Sequence, residues 1–192
     1  MLHQRNYNTR NVNGALAQLA DRVHVAGPFT ILTSAGMPTA SGIPTFRAAD
    51  GLWKKHRPEQ SAAPEAFFTD PSLIWEWYDW RRQDVARREP NRGHELLTAW
   101  SQRLDRFTLI TQNVDGLHER AGTHAVIRFY GSTWELRCWN ECEASANGWG
   151  NETVPLPTLP PHYCHGLTRP GVVWFAEAIE PAVAERSVAA TK

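Results

Sequence analysis

A chain of 192 residues, 42% hydrophobic and 21% charged, has an ordinary globular composition and enough length for one well-buried domain with a small inserted module. Twenty basic residues balance twenty acidic ones, so charge gives no footing to a nucleic-acid or membrane partner. The N-terminus is polar, and no run approaches the roughly 18 apolar residues that a membrane-spanning helix needs, so a cytoplasmic protein is expected.

Val12, Leu16, Leu19 and Val23 recur at helical spacing and predict an opening amphipathic helix. Gly27-Pro28 breaks it, and Phe29 to Thr33 follows as a buried strand. A loop of small residues then runs to about Gly51. Pro71 to Arg88 is helical in pattern, with Trp75, Trp77 and Trp80 crowding it. A further helix is expected from Gly93 to Leu104. Phe107 to Thr111 nearly repeats the first strand and also opens into a polar loop, Gln112-Asn113-Val114-Asp115. Ala125–Phe129 and Gly171–Phe175 are further strand candidates. Strands alternating with helices indicate an α/β fold with a Rossmann-like parallel sheet and helices on both faces. In such sheets ligands bind beyond the carboxyl ends of the strands, where both unusual loops lie.

Cys138, Cys142 and Cys164 sit in one region, and an odd cysteine count argues for a metal site or plain burial over a disulfide framework. Around them the periodicity lapses into Asn, Gly, Glu and Pro. The reading is therefore a single domain over 1–192 with a small metal-binding, zinc-ribbon-like insert at 135–168.

The loop from Ser34 through Ala35 and Gly36 to Gly42-Ile43-Pro44-Thr45-Phe46-Arg47 lets backbone approach a pyrophosphate, and its N–H groups can cradle one. Without its tail from Gly42 to Arg47, it reads more readily as an ordinary glycine-bearing turn. With Gln112-Asn113-Val114-Asp115-Gly116-Leu117-His118, Tyr130-Gly131-Ser132, Leu167-Thr168-Arg169-Pro170 and Val172-Val173-Trp174-Phe175, the chain resembles the sirtuin family along nearly its whole length. The resemblance implies an NAD-dependent protein-lysine deacylase: an acyl-lysine oxygen attacks the nicotinamide ribose, nicotinamide leaves, and the acyl group moves to ADP-ribose. It implies that NAD is held by Ser34, Ala35, Gly36, Thr45, Phe46, Arg47 and Trp53 on one side, and by Gln112, Asn113, Val114 and Asp115 on the other. Asn113 would share the catalytic centre with residue 130, while Val173, Trp174 and Phe175 would meet the acylated lysine of a protein substrate. His94 reads as a packed helix-start residue and His118 as a structural group near the cofactor.

Tyr78 and Arg81 lie three apart on one helix face otherwise made of Ile74 and Val85. A guanidinium in an apolar stripe is costly unless it meets an anion or snorkels to water. The pair resembles the Tyr-x-x-Arg of the bacterial desuccinylase/demalonylase branch, which grips the carboxylate of the acyl group, with Trp77 and Trp80 as apolar walls. The alternative is a surface arginine packed on tryptophan. Asp79 and Arg82, also three apart, look like a surface ion pair.

Sirtuins usually hold a structural zinc with two pairs of cysteines. The resemblance places Cys138, Cys142 and Cys164 at three of those positions, Pro161 at the fourth, and His162 as its substitute; loss of the metal is the alternative. Other departures stand out. Ser34 and Pro38 replace the family's usual glycine and serine, adding a side chain and removing an N–H. Tyr130 stands where the family has its catalytic histidine, and a phenol already protonated at neutral pH cannot take up a proton as imidazole can. The family continues beyond the position of Lys192 into further strands, which are expected to be missing here. Against the deacylase reading stands an inactive relic that binds NAD or an acyl-peptide without turnover.

Overall fold

The computed structural model describes residues 14, 18, 28–45, 63–142, 148–157, 164 and 166–192. Apart from Gly14 and Gln18, the expected opening helix lies outside them, as do Phe46, Arg47, Trp53 and His162.

Strand β1 (Phe29–Thr33) and strand β2 (Phe107–Thr111) occupy the two near-identical apolar runs. They pair in parallel with the repeats in register, Phe29 on Phe107 through Thr33 on Thr111. Strand β3 (Val126–Arg128) adds to the far side of β2, giving the parallel order β1-β2-β3. The expected parallel α/β core is therefore present.

A short 3₁₀ helix, Met37–Ser41, follows β1. Pro38 falls in its first turn, where a backbone N–H would have no partner within the helix, so the missing donor costs the helix nothing. Helix α1 (Pro64–Thr69) leads through Asp70 into α2 (Pro71–Ala86). Proline opens α2, and the Asp70 carboxylate accepts the Leu73 N–H at 3.0 Å, an N-cap that fixes the boundary. Helix α3 (Arg92–Arg103) is capped by Asn91 on the Gly93 N–H, and His94 Nδ1 accepts the Asn91 N–H at 3.1 Å. That reciprocal capping makes His94 a buried helix-start residue, as its sequence context suggested. A single turn, α4 (Leu117–Arg120), follows β2, and α5 (Pro181–Ala190) packs beside β3.

A second sheet is antiparallel, in the order β5-β4-β6: β4 (Gly131–Cys138), β5 (Trp149–Gly150) and β6 (Thr168–Val172). The strand expected over Gly171–Phe175 thus lies over Thr168–Val172, because β6 pairs with β4 through Cys138–Thr168, Arg137–Arg169 and Gly131–Val172. The pairing is close enough that a Cβ at Gly131, where φ is 77°, would sit 2.0 Å from the Gly171 carbonyl. Only glycine fits there.

Helix α2 packs on β4 and β6 of the second sheet and is buried on two sides. Trp75, Trp77 and Tyr78 join Phe67, Leu136, Leu156 and Trp174 in one cluster, while Val85 packs with Ile43 and Leu117 in another. Each large apolar side chain so buried contributes roughly 1.5–3 kcal/mol, which fixes the helix against the second sheet and the segments that follow β1 and β2. Among the described residues, no helix is long and apolar enough to cross a membrane.

Candidate functional site

Because β1 and β2 are parallel neighbours, their carboxyl ends deliver two loops side by side. The Gln112 N–H donates to the Thr33 carbonyl at 2.9 Å, and Asn113 Nδ2 donates to the Ser34 carbonyl at 3.0 Å. Beneath them Thr33 Oγ1 meets Thr111 Oγ1 at 2.9 Å and His118 Nε2 at 3.0 Å, and the His118 ring faces His94 with centroids 4.7 Å apart. Burial, together with the neighbouring His94, pushes His118 down to about 4. It is neutral at pH 7 and acts as a packed polar support beneath the loops.

Above these strand ends opens a cavity of about 940 Å³. From the first loop Ser34, Ala35 and Thr45 line it; from the second, Gln112, Asn113, Val114 and Asp115. Tyr78 and Arg81 enter from α2, and Val173, Trp174 and Phe175 close the far wall. Nothing lies within 4 Å of the place a Cβ at Gly36 would occupy, so the loop presents bare backbone there. Asp115 is buried: desolvation raises its carboxyl above the usual value, against the Leu117 N–H that donates to it at 2.8 Å. The polar lining, amide side chains with the carboxyls of Asp115 and Glu177, suits a sugar and a carboxamide.

Tyr130 lines the same cavity at the junction of the two sheets. Its carbonyl accepts the Val173 N–H at 3.0 Å, and its ring stands edge-on to Phe129, centroids 5.2 Å apart. Tyr78 is fully buried; its hydroxyl accepts the Trp174 indole N–H at 2.8 Å, and burial raises its pKa above the usual tyrosine value. Burial pulls the Arg81 guanidinium down from its ordinary value, partly offset by the carboxylates of Asp84 and Asp115. Arg81 is 4% exposed, which rules out the surface-arginine alternative.

Two neighbouring expectations fail. Arg82 is 0% exposed and donates to the carbonyls of Thr133 (2.8 Å) and Thr153 (3.2 Å) and to Asn151 Oδ1 (2.9 Å), its guanidinium 4.9 Å from the Trp134 ring centre. Asp79 accepts instead from Gln83 and from the Leu156 N–H. They are not a surface ion pair: α2 has buried sides, and the second sheet presents carbonyls to Arg82. Trp80 is 46% exposed and is not among the described residues that line the cavity, unlike Trp77.

The sulfurs of Cys138, Cys142 and Cys164 lie within 4.8 Å of one another, with Cys138 Sγ 3.5 Å from Cys164 Sγ. Three thiols at that separation suit a tetrahedral thiolate site with Zn–S bonds of about 2.3 Å. Burial raises the Cys138 thiol, but backbone N–H groups of Cys142 and Asn140 and the neighbouring thiols outweigh it and hold the group below its usual value.

The model of the Sir2 family matches residues 34–192 of the chain. The chain belongs to the Sir2 family. It is 54% identical over 154 residues to an NAD-dependent protein deacylase of Aquifex aeolicus (strain VF5), an overlap covering 77% of this chain and 61% of that protein. It is 45% identical over 159 residues to NAD-dependent protein deacylase 1 of Archaeoglobus fulgidus, covering 82% and 63% respectively. A solved structure of a Sir2 homolog–NAD complex superimposes with a TM-score of 0.81 at 42% identity, covering 91% of this chain and 67% of that one. This Sir2-family chain thus spans 61% and 63% of the length of the two curated relatives.

The cavity also recruits residues that sequence patterns did not flag, among them Thr133, Glu177 and Ile179. Arg169 lies on β6 and Glu177 beyond the turn at 175–176, so no single element's period relates them and nothing local marks the pair.

Proposed function

We infer that this Sir2-family chain carries the cofactor and acyl-lysine sites of an NAD-dependent protein-lysine deacylase, acting on acetyl-lysine or on acidic acyl-lysines such as succinyl- and malonyl-lysine. The observation that carries this reading is the single cavity lined by both strand-end loops, by Tyr78 and Arg81, and by the wall of residues 173–175. Bound NAD supplies the electrophilic ribose carbon, with nicotinamide as leaving group and ADP-ribose as acyl acceptor. The chain's own residues do the rest. Ser34, Ala35 and Gly36 offer backbone to the phosphates; Gln112, Asn113 and Asp115 hold the ribose and the nicotinamide amide; Phe46, Arg47 and Trp53 would cover the dinucleotide. A phenol at position 130 can donate a hydrogen bond to the sugar but is a poor general base, so turnover is expected to be slow. That residue also favours a second reading: a domain that binds NAD or an acyl-peptide without turning over. Incubation of the chain with NAD and acetyl- or succinyl-lysine peptide, followed by nicotinamide assay, separates them. Slow but peptide-dependent release supports the enzyme; peptide binding with no release supports the binder.

Acyl preference rests on Arg81. A carboxylate meeting a buried guanidinium gains a charge-assisted hydrogen bond of about 1.5–3 kcal/mol, so a succinyl-lysine peptide should bind about ten-fold or more tightly than its acetyl counterpart. Arg81→Met keeps the apolar stem, and titration with both peptides should show the preference erased and acetyl-peptide binding nearly unchanged. Equal affinity in the unmodified protein rejects the acidic-acyl reading.

Cys138, Cys142 and Cys164, with His162 as fourth ligand, are proposed to bind one structural zinc per chain, and Cys164→Ser should abolish it. Elemental analysis finding below about a tenth of an equivalent in the unmodified protein would exclude a closed site of this kind.

A further inference from the structure

The wall formed by Trp174 and Phe175 is made by a turn that does not rest in a favourable conformation. Just past β6 the chain reverses, and Ala176 lies at φ 68°, in the left-handed region where its Cβ crowds the backbone. What opposes that strain is a set of contacts from one arginine. Arg169 projects from β6, with 13% of its side chain exposed against 22% for Glu177. Its two terminal nitrogens fork onto the two Glu177 oxygens, Nη2 to Oε2 at 2.8 Å, and Nη2 also donates to the Val172 carbonyl at 2.9 Å. The same Oε2 accepts the Trp174 backbone N–H at 2.8 Å. The Arg169 guanidinium lies 3.8 Å from the centre of the Trp174 indole, and that indole donates to the Tyr78 hydroxyl. An unbroken path therefore runs from Arg169 through Glu177 and Trp174 to Tyr78, next to Arg81. Burial raises the Glu177 carboxyl, but the hydrogen bonds from Arg169 and Trp174 outweigh it and hold the group ionised.

We propose that the Arg169–Glu177 pair is a clamp that holds the strained turn at Ala176 closed. By keeping the Trp174 indole on the Tyr78 hydroxyl, it positions the Tyr78–Arg81 face that selects the acyl group. Arg169 and Glu177 are positioning residues, since both act through Trp174. A forked, largely buried pair can hold a turn in a way that exposed ion pairs do not. The proposal rests on the cavity being the acyl-lysine site, so its test carries one readout that does not depend on that assignment.

Glu177→Gln removes the charge and one of the two acceptor oxygens at constant size. Hydrogen exchange should then show the Trp174 amide opening about ten-fold faster while β2 amides are unchanged. In titrations, the preference for succinyl- over acetyl-lysine peptide should fall by about ten-fold. Adding Ala176→Gly to Glu177→Gln removes the strain that the clamp opposed and should restore much of the lost preference. An unchanged Trp174 exchange rate in Glu177→Gln overturns the clamp. Faster exchange with an unaltered peptide preference overturns its positioning role, and a double variant no better than the single one overturns the strain. If the unmodified protein binds neither peptide, the acyl-lysine reading and the positioning role fail together, while the exchange rate still decides the clamp.

Discussion

Tyr130→His is expected to raise nicotinamide release by about 10²- to 10⁴-fold, the usual gain from a positioned general base. The backbone at this position is already fixed. The Tyr130 carbonyl holds the Val173 N–H, and the next residue, Gly131, is locked against Gly171 by a contact no side chain could share. The substitution therefore changes the group presented to the cavity and leaves its mounting alone. An imidazole there titrates near neutral pH, so activity should rise with pH through the histidine's pKa and then level off. The measurement is nicotinamide released from NAD in the presence of acetyl-lysine peptide, for both proteins, across pH 5 to 8. Equal rates at every pH would mean that residue 130 does not limit the reaction. Fast turnover by the unmodified chain would mean that its phenol is no handicap.

Arg82→Met should lower stability by about 3–5 kcal/mol, because one charged donor serves several acceptors and a hydrogen bond to a charged group contributes about 1.5–3 kcal/mol. The loss arises from what is left behind. The carbonyls of Thr133, Asn151 and Thr153 and the Asn151 side chain all accept from this one guanidinium, whose own side chain is fully buried. Burial lowers Arg82 to about 10, so it is still charged at neutral pH and each contact is charge-assisted. Thermal unfolding should shift down by about 10 °C or more for a chain of this size. Arg82→Lys should recover only part of that, because an ammonium lacks the planar fork that spans β4 and the 151–153 segment. A shift under about 2 °C for Arg82→Met would show that the neighbouring backbone finds other partners.

The sequence by itself determined the frame. The bounds of β1 and β2 were legible because a short β-branched and apolar run between breakers has one good conformation, and α2 and α3 because their residues recur at helical spacing, with Pro71 opening α2. It also determined that both polar loops would meet, since parallel neighbours place their carboxyl ends together. Helical spacing put Tyr78 and Arg81 on one face. The same spacing misassigned Asp79 and Arg82, because period reports which residues are neighbours and not what the rest of the chain brings against them. Arg82 finds its carbonyls 51 to 71 residues away, Tyr78 finds Trp174 96 residues away, and β6 takes its register from β4 instead of from its own apolar run. Partner identity, and with it the burial of Arg81, the exposure of Trp80 and the pairing of Arg169 with Glu177, was decided only by the tertiary structure. Desolvation and hydrogen-bond satisfaction depend on contacts across the fold, and these leave no local period in the sequence to read.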